Sequence, residues 1–277
     1  MFWGIMPVVS TSPFFATHPV FTRDEFAEGH REDSHAPGSR AVDKALAYHL
    51  SRGRLLRVRQ GLFAVVPPGQ TADECAVDVL LVASRLAPDA VLSYHTALVA
   101  HGLAQSTLRR LTVCSKQDLR RTVFRGVTYD GVAFPRALRD AGESRRQVIT
   151  MNRLGIDLSV TDVERTVVDV LDRLHDSGGW EEVTRSLEHV RVLDSERAAD
   201  YALALGRAST LAKLGLFLDS HREALFVESP VLDKLRVGLP KRIHRIERSH
   251  PGPFRSVPEW RLALPEALLD PAWTARR

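Results

Sequence analysis

Apolar residues recur at three- and four-residue steps in some windows and at two-residue steps in others, and the changes of period mark the elements. The run Phe21-Thr22-Arg23-Asp24-Glu25-Phe26 predicts a helix start. Thr22 is a good N-cap, Glu25 three residues on completes a capping box, and Phe21 and Phe26 sit where a hydrophobic staple closes the first turn. A polar stretch, residues 29–38, leads to a second helix that Ser39 can cap and that runs to about Ser51. Val42, Ala45, Leu46, His49 and Leu50 share its inner face; Arg40, Lys44, Tyr48 and Arg52 fall mostly opposite. Gly53 ends it as a left-handed cap would. The period then drops to two. Residues 54–66 predict a strand, a tight turn at Gln60-Gly61 and a second strand. On the first strand Leu56 and Val58 alternate with Arg57 and Arg59, so one face is apolar and the other basic.

Beyond Pro67-Pro68-Gly69 the pattern changes. Residues 72–86 predict an apolar helix with Asp73, Glu74 and Asp78 near its start, stopped by Pro88. Residues 92–103 predict a short helix ending at Gly102, and residues 111–115, 122–129 and 155–160 read as strands. Thr161-Asp162-Val163-Glu164 has the form of a second capping box, ahead of a helix with Val163, Val167, Val170, Leu171 and Leu174 on its inner stripe. Helices are expected over 180–192, 195–205 and 209–221, after which Pro240, Pro251, Pro253 and Pro258 forbid a long one. The implied fold class is α+β: a winged helix-turn-helix over 15–70, then a larger mixed α+β domain over 71–270, with residues 1–14 a ragged extension.

The 277 residues suit two domains, and 44% hydrophobic with 26% charged residues is an ordinary globular balance. The net charge of +4 says little until it is located. Residues 105–153 carry eleven Lys/Arg against four Asp/Glu, and residues 234–261 carry eight against two. A helix followed by a basic hairpin suits DNA: side chains of the helix's first turns reach base edges while wing arginines meet phosphates. Ser39, Arg40 and Lys44 are the candidates for base or near-base contacts, and Arg52, Arg54, Arg57 and Arg59 for backbone contacts. Arg109, Arg110, Arg120, Arg121, Arg125, Arg145 and Arg146 form either a solvated basic face or a partner surface for DNA or an acidic protein.

Other chemistry is sparse. Cys75 and Cys114 have no metal-ligand or CxxC spacing, which fits idle thiols in a reducing compartment. His95 and His101 are six residues apart and do not share a helical face as zinc ligands would. Asp169 and Asp172 stand beside Arg165 and Arg173, where ion pairs along a charged helix face explain them. The pair Gly38-Ser39 has the start of a nucleotidyltransferase motif, but only Asp43 follows. No Walker loop, GxSxG, HExxH or dinucleotide fingerprint occurs. Beyond Asp219 no Glu-x-Lys supplies the metal site of a PD-(D/E)xK nuclease, so the expectation is a non-enzyme without metal or cofactor. Residues 1–15 are apolar but broken by Pro7 and Pro13 and lack a basic flank; with no other stretch of membrane length, a cytoplasmic protein is expected.

Several segments resemble the AbiEi family of type IV antitoxins, in family order: the wing GRLLRVRQGLFAVVPPG at 53–69, LSYHTALVAHGL at 92–103, SVTDVERTVVDVLDRL at 159–174, LAKLGLFLDSH at 211–221 and PEWRLALP at 258–265. The resemblance implies an N-terminal winged helix that binds repeats upstream of its own operon and represses it. It also implies a C-terminal domain that counteracts an adjacent-gene nucleotidyltransferase toxin, directly or indirectly, with a link to phage defence. The chain departs from the family in its long, histidine-rich 29–38 linker and in Lys213, where arginine is expected. The alternatives are a winged-helix transcription factor without a toxin and a winged helix fused to a nuclease.

Overall fold

The capping box at Thr22 is formed. The Thr22 hydroxyl accepts the Glu25 N–H at 3.2 Å, and the Thr22 N–H donates to the Glu25 carboxylate at 2.7 Å. The computed structural model, which describes residues 13–30, 38–107, 109–246 and 252–266, builds a small unit around this cap. Its elements are α1 (Pro13–Thr17), β1 (Val20–Thr22), α2 (Arg23–Gly29), α3 (Ser39–Ser51), β2 (Leu55–Arg59) and β3 (Leu62–Val65). The strands form an antiparallel sheet in the order β1-β3-β2, which with α2 and α3 is the topology of a winged helix. Phe14, Phe15, Phe21 and Phe26 nest with Val42, Leu46 and Phe63 as its core. Phe14 and β1 belong to the packed unit, although the pattern suggested an extension at the one and no strand at the other. Residues 1–12 and most of the 29–38 linker lie outside the described residues.

Two local expectations shift here. Gly38, not Ser39, is the N-cap of α3, and no side chain caps it. In β2 the register slips between Arg57 and Arg59, so Leu55 and Val58 are buried while Leu56 is only half-buried. A bulge of this kind ends strict two-residue alternation, because one extra residue turns later side chains toward another face.

The second part comprises α4 (Val79–Ser84), β4 (Val91–Leu92), α5 (His95–His101), β5 (Arg110–Ser115), β6 (Thr122–Phe124), β7 (Val127–Ala133), α6 (Arg136–Asp140), β8 (Val148–Arg153) and β9 (Ile156–Thr161). A helical layer follows: α7 (Val163–Asp172), α8 (Trp180–Leu187), α9 (Ser195–Leu205), α10 (Ala208–Ser220) and α11 (Ser229–Val237). A small sheet of β10 (His244–Arg245), β11 (Phe254–Val257) and β12 (Leu262–Pro265) closes it. The large sheet is mixed, in the order β6-β7-β5-β4-β9-β8. The architecture is α+β.

Several expectations are corrected in this part. The helix expected over 72–86 survives only as α4, because the Asp78 carboxylate accepts the N–H groups of Leu80 and Leu81 and sets the start there. The strand expected over 122–129 folds back at Arg125 and Gly126, both at positive φ, into a β6–β7 hairpin. Asp162, not Thr161, caps α7, accepting the Arg165 N–H at 2.8 Å. The Thr161 hydroxyl lies 2.7 Å from that of Thr166 instead.

Arg165 and Asp169 do pair at i and i+4, at 3.2 Å, but the pair is fully buried rather than on a charged face. The Tyr201 hydroxyl donates to the other Asp169 oxygen at 2.7 Å, and Arg165 also donates to the carbonyls of Ser144 and Arg146. Asp172 bonds Arg207 and Thr210 rather than Arg173. The two parts of the chain share one core: Val20, Val58, Leu62 and Ala64 of the wing sheet pack with Leu80, Leu81, Leu86 and Ala87 around α4. Among the described residues no helix is long and apolar enough to cross a membrane.

Candidate nucleic-acid interface

Helix α3 turns Val42, Leu46 and His49 inward, and that fixes what it shows outward. Arg40, Lys44, Tyr48 and Arg52 are all exposed. The Arg52 guanidinium lies 5.5 Å from the centre of the Tyr48 ring, which holds the cation along the helix without neutralising it. Past the αL turn at Gly53, Arg54 and Arg57 are exposed as well. Among the described residues, five cations therefore share the outward surface of α3 and the start of the wing.

The acid on this helix is dealt with locally. Arg23, the first residue of α2, donates through Nε to Asp43 at 2.7 Å and through Nη2 to the Ser39 hydroxyl at 2.7 Å. The hydrogen bond from Arg23 holds the Asp43 carboxyl below its ordinary pKa against mild desolvation. Asp43 thus carries its own counter-charge, and repulsion of a phosphate backbone from this face is reduced. Ser39 remains exposed, with its hydroxyl taken up by Arg23. The pattern along α3 does not point to Arg23; the partnership exists only because α2 and α3 pack with their first turns together.

Arg59 does not join the basic surface. Its guanidinium donates to the carbonyl of Leu86 in the second part of the chain, and burial lowers its pKa. It lies in a cleft between the two parts that is also crossed by the Arg85–Glu25 ion pair at 2.9 Å. Glu25 therefore does two jobs, capping α2 with one oxygen and pairing with Arg85 through the other.

The arginine-rich stretch expected as a partner surface is largely engaged within the chain. Arg110 and Arg121 both pair with Asp130 at 2.7 Å, and Arg110 also approaches Asp176 at 3.6 Å. Burial pushes the Asp130 carboxyl up, but the two guanidinium groups outweigh it and hold the pKa below the ordinary value. Arg125 donates to the carbonyls of Ala72 and Cys75, fastening the segment before α4. Arg145 donates to the Ser159 hydroxyl at 2.8 Å, and Arg146 pairs with Glu143 at 3.1 Å. Arg109 and Arg120 are exposed and have no ion-pair partner among the described residues.

The histidines have structural partners. His95 lies 3.0 Å from the Glu182 carboxylate, and His101 bonds the Thr161 carbonyl at 2.7 Å. Lys213 is buried near the Asp172 carbonyl at 3.5 Å, and burial pushes its pKa down to about 8.

In fold, the chain resembles the RV2827C protein from Mycobacterium tuberculosis. The TM-score is 0.57 at 18% identity, over 90% of this chain and 88% of that one. The likeness is one of fold and runs through both parts. No protein-family model and no curated protein matches the chain.

Proposed function

We propose that this chain is a DNA-binding autoregulator and the antitoxin of a type IV pair, working without catalysis in the cytoplasm. The observation that carries the DNA-binding half is the outward surface of α3: Arg40, Lys44, Arg52 and Arg54 exposed together with Arg57 on β2, while Asp43 is held by Arg23. A helix that fits the major groove, with cations along it and on the adjoining strand, can seat on phosphates and present Arg40 and Lys44 to base edges. The antitoxin half rests on the ordered resemblance of the segments at 53–69, 92–103, 159–174, 211–221 and 258–265 to AbiEi proteins. Its target is a nucleotidyltransferase-like toxin encoded next to it.

Two experiments test the halves separately. Fluorescence anisotropy with the duplex upstream of the chain's own gene, against random duplex, should show preferential binding at physiological salt. Equal affinity for both refutes the regulator. Expression of the adjacent gene with and without this chain should show growth arrest and rescue; a harmless neighbour, or no rescue, leaves a winged-helix transcription factor without a toxin.

A further inference from the structure

We infer that a groove at the N-terminal ends of α9 and α11 is the docking site of a protein partner that offers an apolar anchor flanked by lysine or arginine. The groove has a volume of about 550 Å³. Its floor includes Leu225 and Val231, which are buried, and its lips are Val192 and Phe226, which are 84% and 89% exposed. Single exposed apolar residues are ordinary, but two of the most exposed among the described residues lining one concave surface form a binding feature.

Phe226 has a second peculiarity. Its φ is +52°, a left-handed conformation that costs an aromatic residue free energy and that asparagine or glycine tolerates better. The turn is closed by backbone bonds from Val227 N–H to the Arg222 carbonyl at 2.8 Å and from Leu225 N–H to the His221 carbonyl at 2.9 Å. Arg222 also donates to the Val227 carbonyl at 3.3 Å. These bonds need no phenyl ring at position 226, and the ring packs on almost nothing. The fold thus does not account for an aromatic residue here, whereas an aromatic anchor at the mouth of a groove is what a protein interface uses.

The charge around the groove selects the partner. Asp194, Glu196 and Glu228 line it against Arg191 alone, and Lys234 reaches Glu196 at 3.1 Å from outside. The lining thus holds three carboxylates against one guanidinium, in a chain whose net charge is +4. Such a locally inverted surface repels nucleic acid and favours a basic protein segment. The groove owes nothing to the DNA-binding reading, and it adds to the antitoxin reading a place where a protein would sit.

The test needs no knowledge of the natural partner. Short random displayed peptides are selected on the immobilised full chain and, in parallel, on a Val192→Ser/Phe226→Asn variant. Peptides with an apolar residue flanked by lysine or arginine should be enriched on the wild type only. The Phe226→Asn change alone should weaken a selected peptide roughly 30-fold, as loss of an interface anchor does. The same change should raise the melting temperature, because asparagine relaxes the left-handed backbone; a phenylalanine needed for folding would lower it. Enrichment of the same peptides on the variant, enrichment of acidic peptides, or no enrichment overturns the inference. So does a dimer seen by light scattering that the variant converts to monomer, which makes the groove a self-interface.

Discussion

Arg57 and Arg59 stand two residues apart on one short strand, yet they should behave differently when removed. Arg57 is exposed on the surface continued from α3, whereas Arg59 is spent on the Leu86 carbonyl across the cleft. Among the described residues, the five outward cations Arg40, Lys44, Arg52, Arg54 and Arg57 set the number of phosphates this surface can neutralise per chain. Each neutralised phosphate contributes about −0.9 to the slope of log affinity against log salt, so the ceiling is about −4.5 per chain. Between about 50 and about 200 mM salt that slope is a loss of roughly 500-fold. Arg57→Ala should bring the slope to about −3.6 and the loss to roughly 150-fold. Arg59→Ala should leave the slope unchanged and lower stability by about 1–2 kcal/mol, because a charged donor is lost and a carbonyl is left unbonded. Anisotropy titrations at a series of salt concentrations, paired with urea unfolding of the same preparations, measure both quantities. If Arg59→Ala flattens the salt dependence as much as Arg57→Ala and leaves the unfolding midpoint alone, the wing meets DNA along its whole length and the assignment of Arg59 to the cleft is wrong.

Three further outcomes concern the interior and are read by denaturant unfolding. Asp169→Ala leaves the Arg165 guanidinium buried without its counter-charge, and about 3–5 kcal/mol should be lost; Asp169→Asn, which keeps an acceptor, should lose less, and equal losses would argue against an ionic pair. Gly215→Ala would set a methyl group about 2.0 Å from the buried ring of Trp260, so a cost of about 1–3 kcal/mol is expected, and a neutral effect would mean that α10 and Trp260 do not pack as described. His49 and His95 both have lowered pKa values, chiefly by desolvation; Arg54 adds to this at His49, and Glu182 only partly offsets it at His95. The unfolded chain therefore binds protons that the folded one refuses, so stability should fall as pH drops below about 6.5 toward the lowered folded values. His49→Leu should flatten that fall, and an undiminished slope in the variant would exclude His49 as a source.

What was legible in the sequence was local. The Thr22–Glu25 capping box, the inward stripe of α3, the αL glycine at 53 and the Gln60-Gly61 turn depend on residues a few positions apart, and all form as the pattern predicts. The outward placing of Arg40, Lys44 and Arg52 follows from the same periodicity, because burying Val42 and Leu46 leaves those positions no other side. The α+β class and the winged-helix order were readable for the same reason.

What needed the tertiary structure was every choice between two partners far apart in sequence. Asp78 and Asp162, which cap α4 and α7, are each tied to a distant arginine, Arg153 and Arg197. A bulge between Arg57 and Arg59 carried one arginine out of the basic face. Seven arginines that look alike in the chain separated into five tied down within it and two, Arg109 and Arg120, without an ion-pair partner among the described residues. Periodicity reports which way a side chain points from its own element, and it carries no information about what another element places there; an arginine becomes a structural tie or a free cation according to the carbonyl or carboxylate that packing brings within about 3 Å of it.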